Sequence, residues 1–147
     1  SSRIGERQPL RSTGLGKALI LDATEVQLRE FYDYEARRGH GYSVDQELWL
    51  RRMGEYAKSG YALDLEENED RIRCVAAPFR DVSGAIAGAI SVSSAAQYMD
   101  DTRMHGLAFE VKSAADAISC QLGFDPNIAP QAKPRPRKAR AAAPTAD

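Results

Sequence analysis

The amino-acid sequence predicts an α+β domain in which an antiparallel sheet packs with helices. Apolar residues recur at helical spacing in the first half of the 147-residue chain and again near its end. Between these regions, three short runs bounded by turn residues have the pattern of strands. A chain of this length corresponds to one domain and buries roughly two-thirds of its unfolded surface.

The first half contains three predicted helices. Gly14 and Gly16 are expected to form a bend, after which a short buried helix follows Lys17. Thr24 and Gln27 have the spacing of a capping box, which starts a second helix that continues to about Tyr34. The apolar residues that this second helix is expected to bury are Val26, Leu28 and Phe31.

The third helix is predicted to begin at another capping box, formed by Ser43 and Gln46. Gly60 follows it and suits the left-handed conformation that commonly ends a helix. One face of this helix carries large apolar side chains at i, i+4 and i+7 spacing, namely Trp49, Met53 and Tyr56.

The middle of the chain reads as three strands, over residues 61–65, 72–79 and 85–93. The last two are joined by a turn at residues 81–84 and form a hairpin. In the first strand, Leu63 and Leu65 point to one side and Asp64 to the other, because side chains alternate along a strand.

A closing helix is predicted from Asp100 or Asp101 to about Leu122, where Gly123 ends it. Its apolar residues fall on one stripe at helical spacing and should face the core. The stripe consists of Met104, Leu107, Ala108, Val111, Ala115, Ile118 and Leu122.

The charge is unevenly distributed along the chain. Residues 130–147 contain five basic residues and one acidic residue, which gives +4, so the net charge of -1 leaves -5 for the other 129 residues. An acidic body binds nucleic acid poorly. Residues 126–147, rich in Pro, Ala and basic side chains, are expected to form a disordered tail after a folded domain at 1–125. That tail is expected to act as a solubilising end, the alternative being non-specific phosphate binding.

No membrane span, metal site or cofactor is expected. Apolar runs stay well below the about 18 residues of a membrane helix, and the polar, basic first ten residues lack the core of a secretory signal, which favours a cytoplasmic protein. Cys74 and Cys120 form no C-x-x-C pair, and His40 and His105 lie in different segments. Both thiols are expected to be free and buried.

Several segments together resemble the C-terminal domain of the IclR family of transcription regulators. Their order and spacing match the family across roughly residues 3–123, although no single segment is specific. The segments are PL at 9–10, TGLGKAL at 13–19, GYALDLEENE at 60–69, RCVAAP at 73–78, GAI at 84–86 and AISVS at 89–93.

The resemblance implies a GAF/profilin-like sensor domain that holds a small organic acid between the sheet and a loop-helix layer. It implies that the backbone N–H groups of Gly14 and Leu15 meet the ligand's carboxylate. It also implies that Asp64, Cys74, Ser91 and Ser93 line the pocket. Each implied role has a simpler alternative: a bend at the glycines, an exposed turn cap at Asp64, a small buried hydrophobe at Cys74, and a solvated face at the two serines.

The family's other known properties give the remaining expectations. Members act as dimers or tetramers on operator DNA, through a winged helix-turn-helix that this sequence does not match. The first five residues match the middle of the sensor, so we expect a partial domain whose DNA binding requires an absent N-terminal half. An enzyme that uses Cys74 or the acidic run at 66–70 is not expected, because the sequence contains no acid and base paired at a spacing typical of a catalytic site. A ligand-free interaction module, using an unpaired sheet edge, is the alternative.

Overall fold

Helices precede and follow a small sheet. The structure is a computed structural model that describes residues 7–38 and 44–128. A 3-10 helix at Ala96–Tyr98 joins the last strand to the last α-helix. The predicted α+β class is confirmed, with the elements α1 (Gly14–Leu19), α2 (Glu25–Arg37), α3 (Gln46–Ser59), β1 (Ala62–Leu65), β2 (Ile72–Arg80), β3 (Ile86–Ala95) and α4 (Asp101–Gln121).

The three strands form an antiparallel sheet in the order β1-β2-β3. The turn after β2 has Gly84 in a left-handed conformation, with a φ of 80° that favours glycine. Directly opposed residues in antiparallel strands share a face, and the register therefore aligns side chains into rows across the sheet. One row consists of Asp64, Cys74 and Ser93, and the next consists of Ala62, Ala76 and Ser91.

The first core lies between one face of the sheet and helices α1 to α3. Trp49, Met53 and Tyr56 are buried in it, as the spacing in α3 predicts. The Trp49 Nε1–H donates a hydrogen bond of 2.9 Å to the carbonyl of Arg11, which fastens the segment before α1 to this core. Gly60 ends α3 in the predicted left-handed conformation, with a φ of 77°.

The second core lies on the opposite face of the sheet, beneath α4. Val75 and Ala77 of β2 pack there against the predicted stripe of α4, of which Met104, Ala108 and Val111 are buried. Ser119 links the two layers, because its hydroxyl accepts a hydrogen bond from the Arg80 backbone N–H and donates one to the Ala115 carbonyl. The sheet thus separates two cores, each with its own helices.

The helix caps match the predictions at one site and differ at another. Thr24 and Gln27 form the predicted capping box of α2, with both reciprocal hydrogen bonds present. The predicted cap of α3 at Ser43 is wrong, because the carboxylate of Asp45 accepts the Leu48 N–H and caps a helix that begins at Gln46. Ser43 lies outside the described residues.

Other differences concern element ends and exposure. α2 continues to Arg37, one turn beyond the predicted end near Tyr34. Val26 is 67% exposed and Leu122 is 45% exposed, so both predictions of burial are wrong. Cys120 is a free thiol but is exposed, contrary to prediction. His40 and residues 129–147 of the predicted tail lie outside the described part of the chain.

Candidate functional site

Five of the six predicted site residues lie on one face of the sheet or against it. Asp64, Cys74 and Ser93 form a row across the three strands, and Ser91 lies in the next row. Gly14 lies over this face, since a Cβ built on it would be 2.8 Å from the Cys74 Sγ. The sixth residue, Leu15, follows Gly14 in α1 and is 40% exposed.

Helix α1 packs closely against the sheet at Gly14 and against the preceding segment of the chain at Gly16. A Cβ on Gly14 would also be 3.5 Å from the Ala76 Cβ, and one on Gly16 would be 2.5 Å from the backbone of Leu10. Both glycines are helical, and Thr13 caps the helix by accepting the Gly16 N–H at 3.0 Å. The predicted bend is therefore wrong, since α1 begins at Gly14 rather than after Lys17.

Asp64 is buried and caps the turn that follows β1. Its Oδ1 accepts hydrogen bonds from the backbone N–H groups of Glu67 at 2.8 Å and Asn68 at 3.3 Å. Burial raises the pKa of this carboxyl above its usual range, although both hydrogen bonds and the nearby Lys17 act in the opposite direction. Asp64 thus has the turn-capping role of the simpler alternative, but it is only 4% exposed.

Cys74 contacts the two serines through its thiol. Burial raises the pKa of the Cys74 thiol, while hydrogen bonds with the side chains of Ser93 and Ser91 partly oppose that shift. A neutral thiol is a poor nucleophile. Cys74 is buried, Ser91 is half-buried and Ser93 is exposed, so the polar row becomes accessible to solvent at β3.

A buried ion network that the sequence analysis missed lies beside the row. The Lys17 ammonium donates to the Leu63 carbonyl at 2.8 Å and to the Glu67 carboxylate, whose other oxygen accepts from Arg52 at 3.0 Å. Burial is the main cause that lowers the pKa of Lys17, and the adjacent Glu67 opposes it. The only signal in the sequence is one lysine within an otherwise apolar run, which does not reveal its partner.

A separate groove of about 370 Å³ lies between α2 and α3, away from this row. Its lining includes Leu28 from α2 and Leu50 from α3, and none of the six predicted site residues contributes to it. The periodicity of the sequence does not predict this groove, because the groove depends on how the two helices pack.

The described residues lack a metal-binding cluster and a membrane-spanning helix. In that part of the chain, His, Cys, Asp and Glu side chains do not gather in groups of three or more able to hold a metal ion. No helix there combines the length and the apolar character needed to cross a membrane.

Comparison with protein families identifies the domain. A family model described as the bacterial transcriptional regulator IclR C-terminal domain matches residues 1–120. This chain belongs to the IclR family. The resemblance found in the sequence is thereby confirmed, and the fold is that of the family's C-terminal effector-binding domain.

Two curated relatives from Escherichia coli K12 support this assignment. The HTH-type transcriptional regulator XynR is 31% identical over 130 residues, which cover 84% of this chain and 50% of XynR. The HTH-type transcriptional regulator KdgR is 33% identical over 126 residues, which cover 84% of this chain and 48% of KdgR. The chain therefore spans about half the length of the curated relatives that it matches.

Solved IclR-family structures have the same fold. The Agrobacterium tumefaciens repressor BlcR superposes with a TM-score of 0.73 and 25% identity, over 84% of this chain and 51% of BlcR. The C-terminal domain of E. coli KdgR gives a TM-score of 0.67 and 27% identity, over 82% of this chain and 75% of that domain.

Proposed function

We propose that this IclR-family domain binds a small organic acid and controls transcription through a DNA-binding half that lies outside these residues. The observation that carries the proposal is the polar row across the sheet, from buried Asp64 through Cys74 to exposed Ser93, beneath the first turn of α1. The proposed ligand-binding residues are Gly14, Leu15, Asp64, Cys74, Ser91 and Ser93.

The contacts around Cys74 indicate where the ligand would enter. The backbone of Gly14 occupies the space directly above Cys74, so a ligand approaches from the β3 side, where the hydroxyls of Ser91 and Ser93 are accessible. Those hydroxyls both donate and accept hydrogen bonds and suit the hydroxyl or keto group of an acid. The first N–H groups of α1, including those of Gly14 and Leu15, have no partner within the helix and favour a carboxylate.

The proposed mechanism is a shift in population between arrangements of α1 and the sheet. A ligand that binds one arrangement better than another biases the equilibrium between them. Coupling free energies of this kind are typically about 1–3 kcal/mol, which changes DNA affinity roughly 5- to 150-fold. Homo-oligomerisation, as a dimer or tetramer, would let two sensors orient a pair of DNA-binding domains.

A binding role, rather than catalysis, is favoured by the chemistry of the site. The Cys74 thiol has a raised pKa, and its side-chain hydrogen bonds are to serines rather than to a base. The named relatives are transcription regulators. We propose the cytoplasm as the compartment, because bacterial transcription takes place there.

A ligand-free interaction module is the second candidate, and the outer edge of β3 favours it. Among the described strands, only β2 pairs with β3, so one edge of β3 carries unpaired backbone groups. Such an edge can add a strand from another chain. A sedimentation experiment that finds a monomer at micromolar concentration would argue against this candidate.

Calorimetric titration with a panel of small hydroxy, keto and aromatic acids tests the sensor proposal. We expect saturable binding of at least one acid, weakened about fivefold by Ser91→Ala and by Ser93→Ala, because each loses one hydrogen bond. Ser94→Ala is the matched control, since Ser94 lies on the same strand but faces α4. Absence of binding across the panel, with a folded sample verified by circular dichroism, would overturn the proposal.

A further inference from the structure

The groove between α2 and α3 has an apolar floor that the proposed sensor site does not use. Leu21, Leu28 and Met53 form the buried part of its lining, and Leu50 is half-buried there. Its volume of about 370 Å³ lies within the roughly 300–1,000 Å³ range of small-molecule sites, near the lower end. A ligand of the size of one aromatic ring or a short alkyl chain matches that space.

Gly54 leaves the α3 wall of the groove open. A Cβ built on Gly54 would have no heavy atom within 4 Å. Packing within the described chain therefore does not require glycine there, although glycine in a helix costs about 1 kcal/mol relative to alanine. The missing side chain instead leaves room for a molecule that approaches from outside.

The charged lining of the groove consists of two arginines, Arg29 and Arg51, and two glutamates, Glu25 and Glu47, and the two arginines have different surroundings. The guanidinium of Arg29 is engaged by Glu25 at 2.8 Å and by Glu47 at 2.7 Å. Glu47 precedes Arg51 by four positions on α3, a spacing at which a glutamate and an arginine can form an ion pair. The carboxylate of Glu47 instead forms its ion pair with Arg29. Arg51 is exposed and makes no hydrogen bond or ion pair with the rest of the described chain, although, after the hydrogen bond from Arg29, its charge also contributes to lowering the pKa of Glu47.

We propose that this groove is a second binding site, which takes a small monocarboxylic acid with an apolar body. The body lies on Leu21, Leu28 and Leu50, and the carboxylate pairs with the guanidinium of Arg51. Arginine suits this role because its planar fork can bind both oxygens of a carboxylate. The site lies outside the row that carries the proposed sensor function and does not depend on it.

Titration of the isotopically labelled chain with benzoate tests this proposal, with the backbone amides followed by NMR. We expect saturable shifts at Arg29, Arg51 and Gly54. Benzamide, a neutral molecule of nearly the same shape, should bind more weakly. Arg51→Gln should weaken benzoate binding about fivefold and remove the preference for benzoate over benzamide, because the charge-assisted contact is lost.

Two further variants separate this site from a general effect and from the sensor site. Gly54→Leu should fill the groove and abolish the shifts, whereas Gly106→Leu should leave them unchanged, since Gly106 is an open helical glycine of α4. Ser91→Ala and Ser93→Ala should also leave them unchanged. Benzoate shifts that occur only at the sheet, that persist in Gly54→Leu, or that are absent altogether would overturn the proposal.

Discussion

At position 14, the absence of a side chain allows α1 to lie directly on the sheet. The Cβ of any other residue would be 2.8 Å from the Cys74 Sγ, a separation that Cβ contacts essentially never show. Position 54 is the opposite case, because a Cβ there would have no heavy atom of residues 7–38 or 44–128 within 4 Å. Close packing therefore requires glycine at position 14, whereas packing within the described chain does not require it at position 54.

Gly14→Ala should therefore destabilise the domain by about 1–3 kcal/mol through overpacking. Gly54→Ala is the matched control and should stabilise it by up to about 1 kcal/mol, because alanine favours the helix. Urea unfolding followed by far-ultraviolet circular dichroism measures both. In the Cys74→Ala background, Gly14→Ala should cost less, since the clashing sulfur is gone, and an equal cost in the two backgrounds would contradict the assignment.

Asp64 gives the domain a specific dependence on pH. Because burial raises the pKa of Asp64 above its ordinary value of 3.8, the folded state holds this proton more tightly than the unfolded state. The contribution to stability is fully present below pH 3.8 and is lost as pH rises through the folded pKa. Relative to wild type, Asp64→Asn should then gain stability as pH rises from acid to neutral.

The asparagine variant keeps an oxygen that can accept the N–H groups of Glu67 and Asn68, so the comparison isolates the charge. Chemical unfolding of both proteins at several pH values between acid and neutral provides the measurement. Parallel stability curves, or a difference that grows in the other direction, would show that Asp64 does not titrate as described.

Helix α1 is attached to the rest of the domain by the side chain of Lys17 as well as by its close packing on the sheet. Lys17 reaches from α1 to the Leu63 carbonyl of β1 and to Glu67, which in turn contacts Arg52 of α3. These contacts join two helices and a strand through the turn after β1. Burial of the charges makes each partner dependent on the other.

Lys17→Met should destabilise the domain by about 3–5 kcal/mol, because it leaves the buried Glu67 without its nearest cation. Glu67→Gln should also be destabilising, and the double variant should cost less than the sum of the two. Thermal unfolding measures the three variants, and Lys112→Met is the control, since its ion pair with Asp116 is exposed and worth little. Additive losses would argue against direct coupling.

The sequence was sufficient for most elements because their signals are local. The capping box at Thr24, the α3 face around Trp49 and the left-handed Gly60 all depend on residues a few positions apart. The prediction of Ser43 as a cap is wrong because it depends only on the spacing from Ser43 to Gln46, whereas Asp45, another residue type favoured at this position, caps the helix. The prediction that Val26 is buried is wrong because the spacing of apolar residues does not show how far the buried face of a helix extends.

At the scale of the whole molecule, the sheet separates two cores that fold around different helices. Leu28 belongs to the core beneath α1 to α3, and Val111 belongs to the core beneath α4. Leu63 is partly buried and packs against both cores. Substitutions deep in separate cores should otherwise act independently.

Leu28→Val and Val111→Ala should each cost about 1–2 kcal/mol. Their double variant should lose the sum to within about 0.5 kcal/mol, because the two side chains lie in different cores on opposite faces of the sheet. Denaturant unfolding of the three variants provides the test. A clearly non-additive double variant would mean that the cores behave as one packing unit.

Only part of the candidate site could be predicted from the sequence, because the rest depends on contacts between different elements of the fold. Alternation along β3 already places Ser91 and Ser93 on one face. Only the register between strands aligns Ser93 with Cys74 and Asp64. The partner of Lys17 and the groove beside Leu28 depend on packing between different segments of the chain, which local sequence patterns do not specify.

Trp49 is the only tryptophan in the chain, and its indole N–H bonds to the carbonyl of Arg11. Its fluorescence therefore reports on the core beneath α1 to α3, and in particular on whether the segment before α1 remains bonded to the indole. The layer beneath α4 contains no such chromophore. If unfolding begins at the segment before α1, the emission of Trp49 should shift to the red early in a denaturant titration. The ellipticity of the long helix α4 should decline only later.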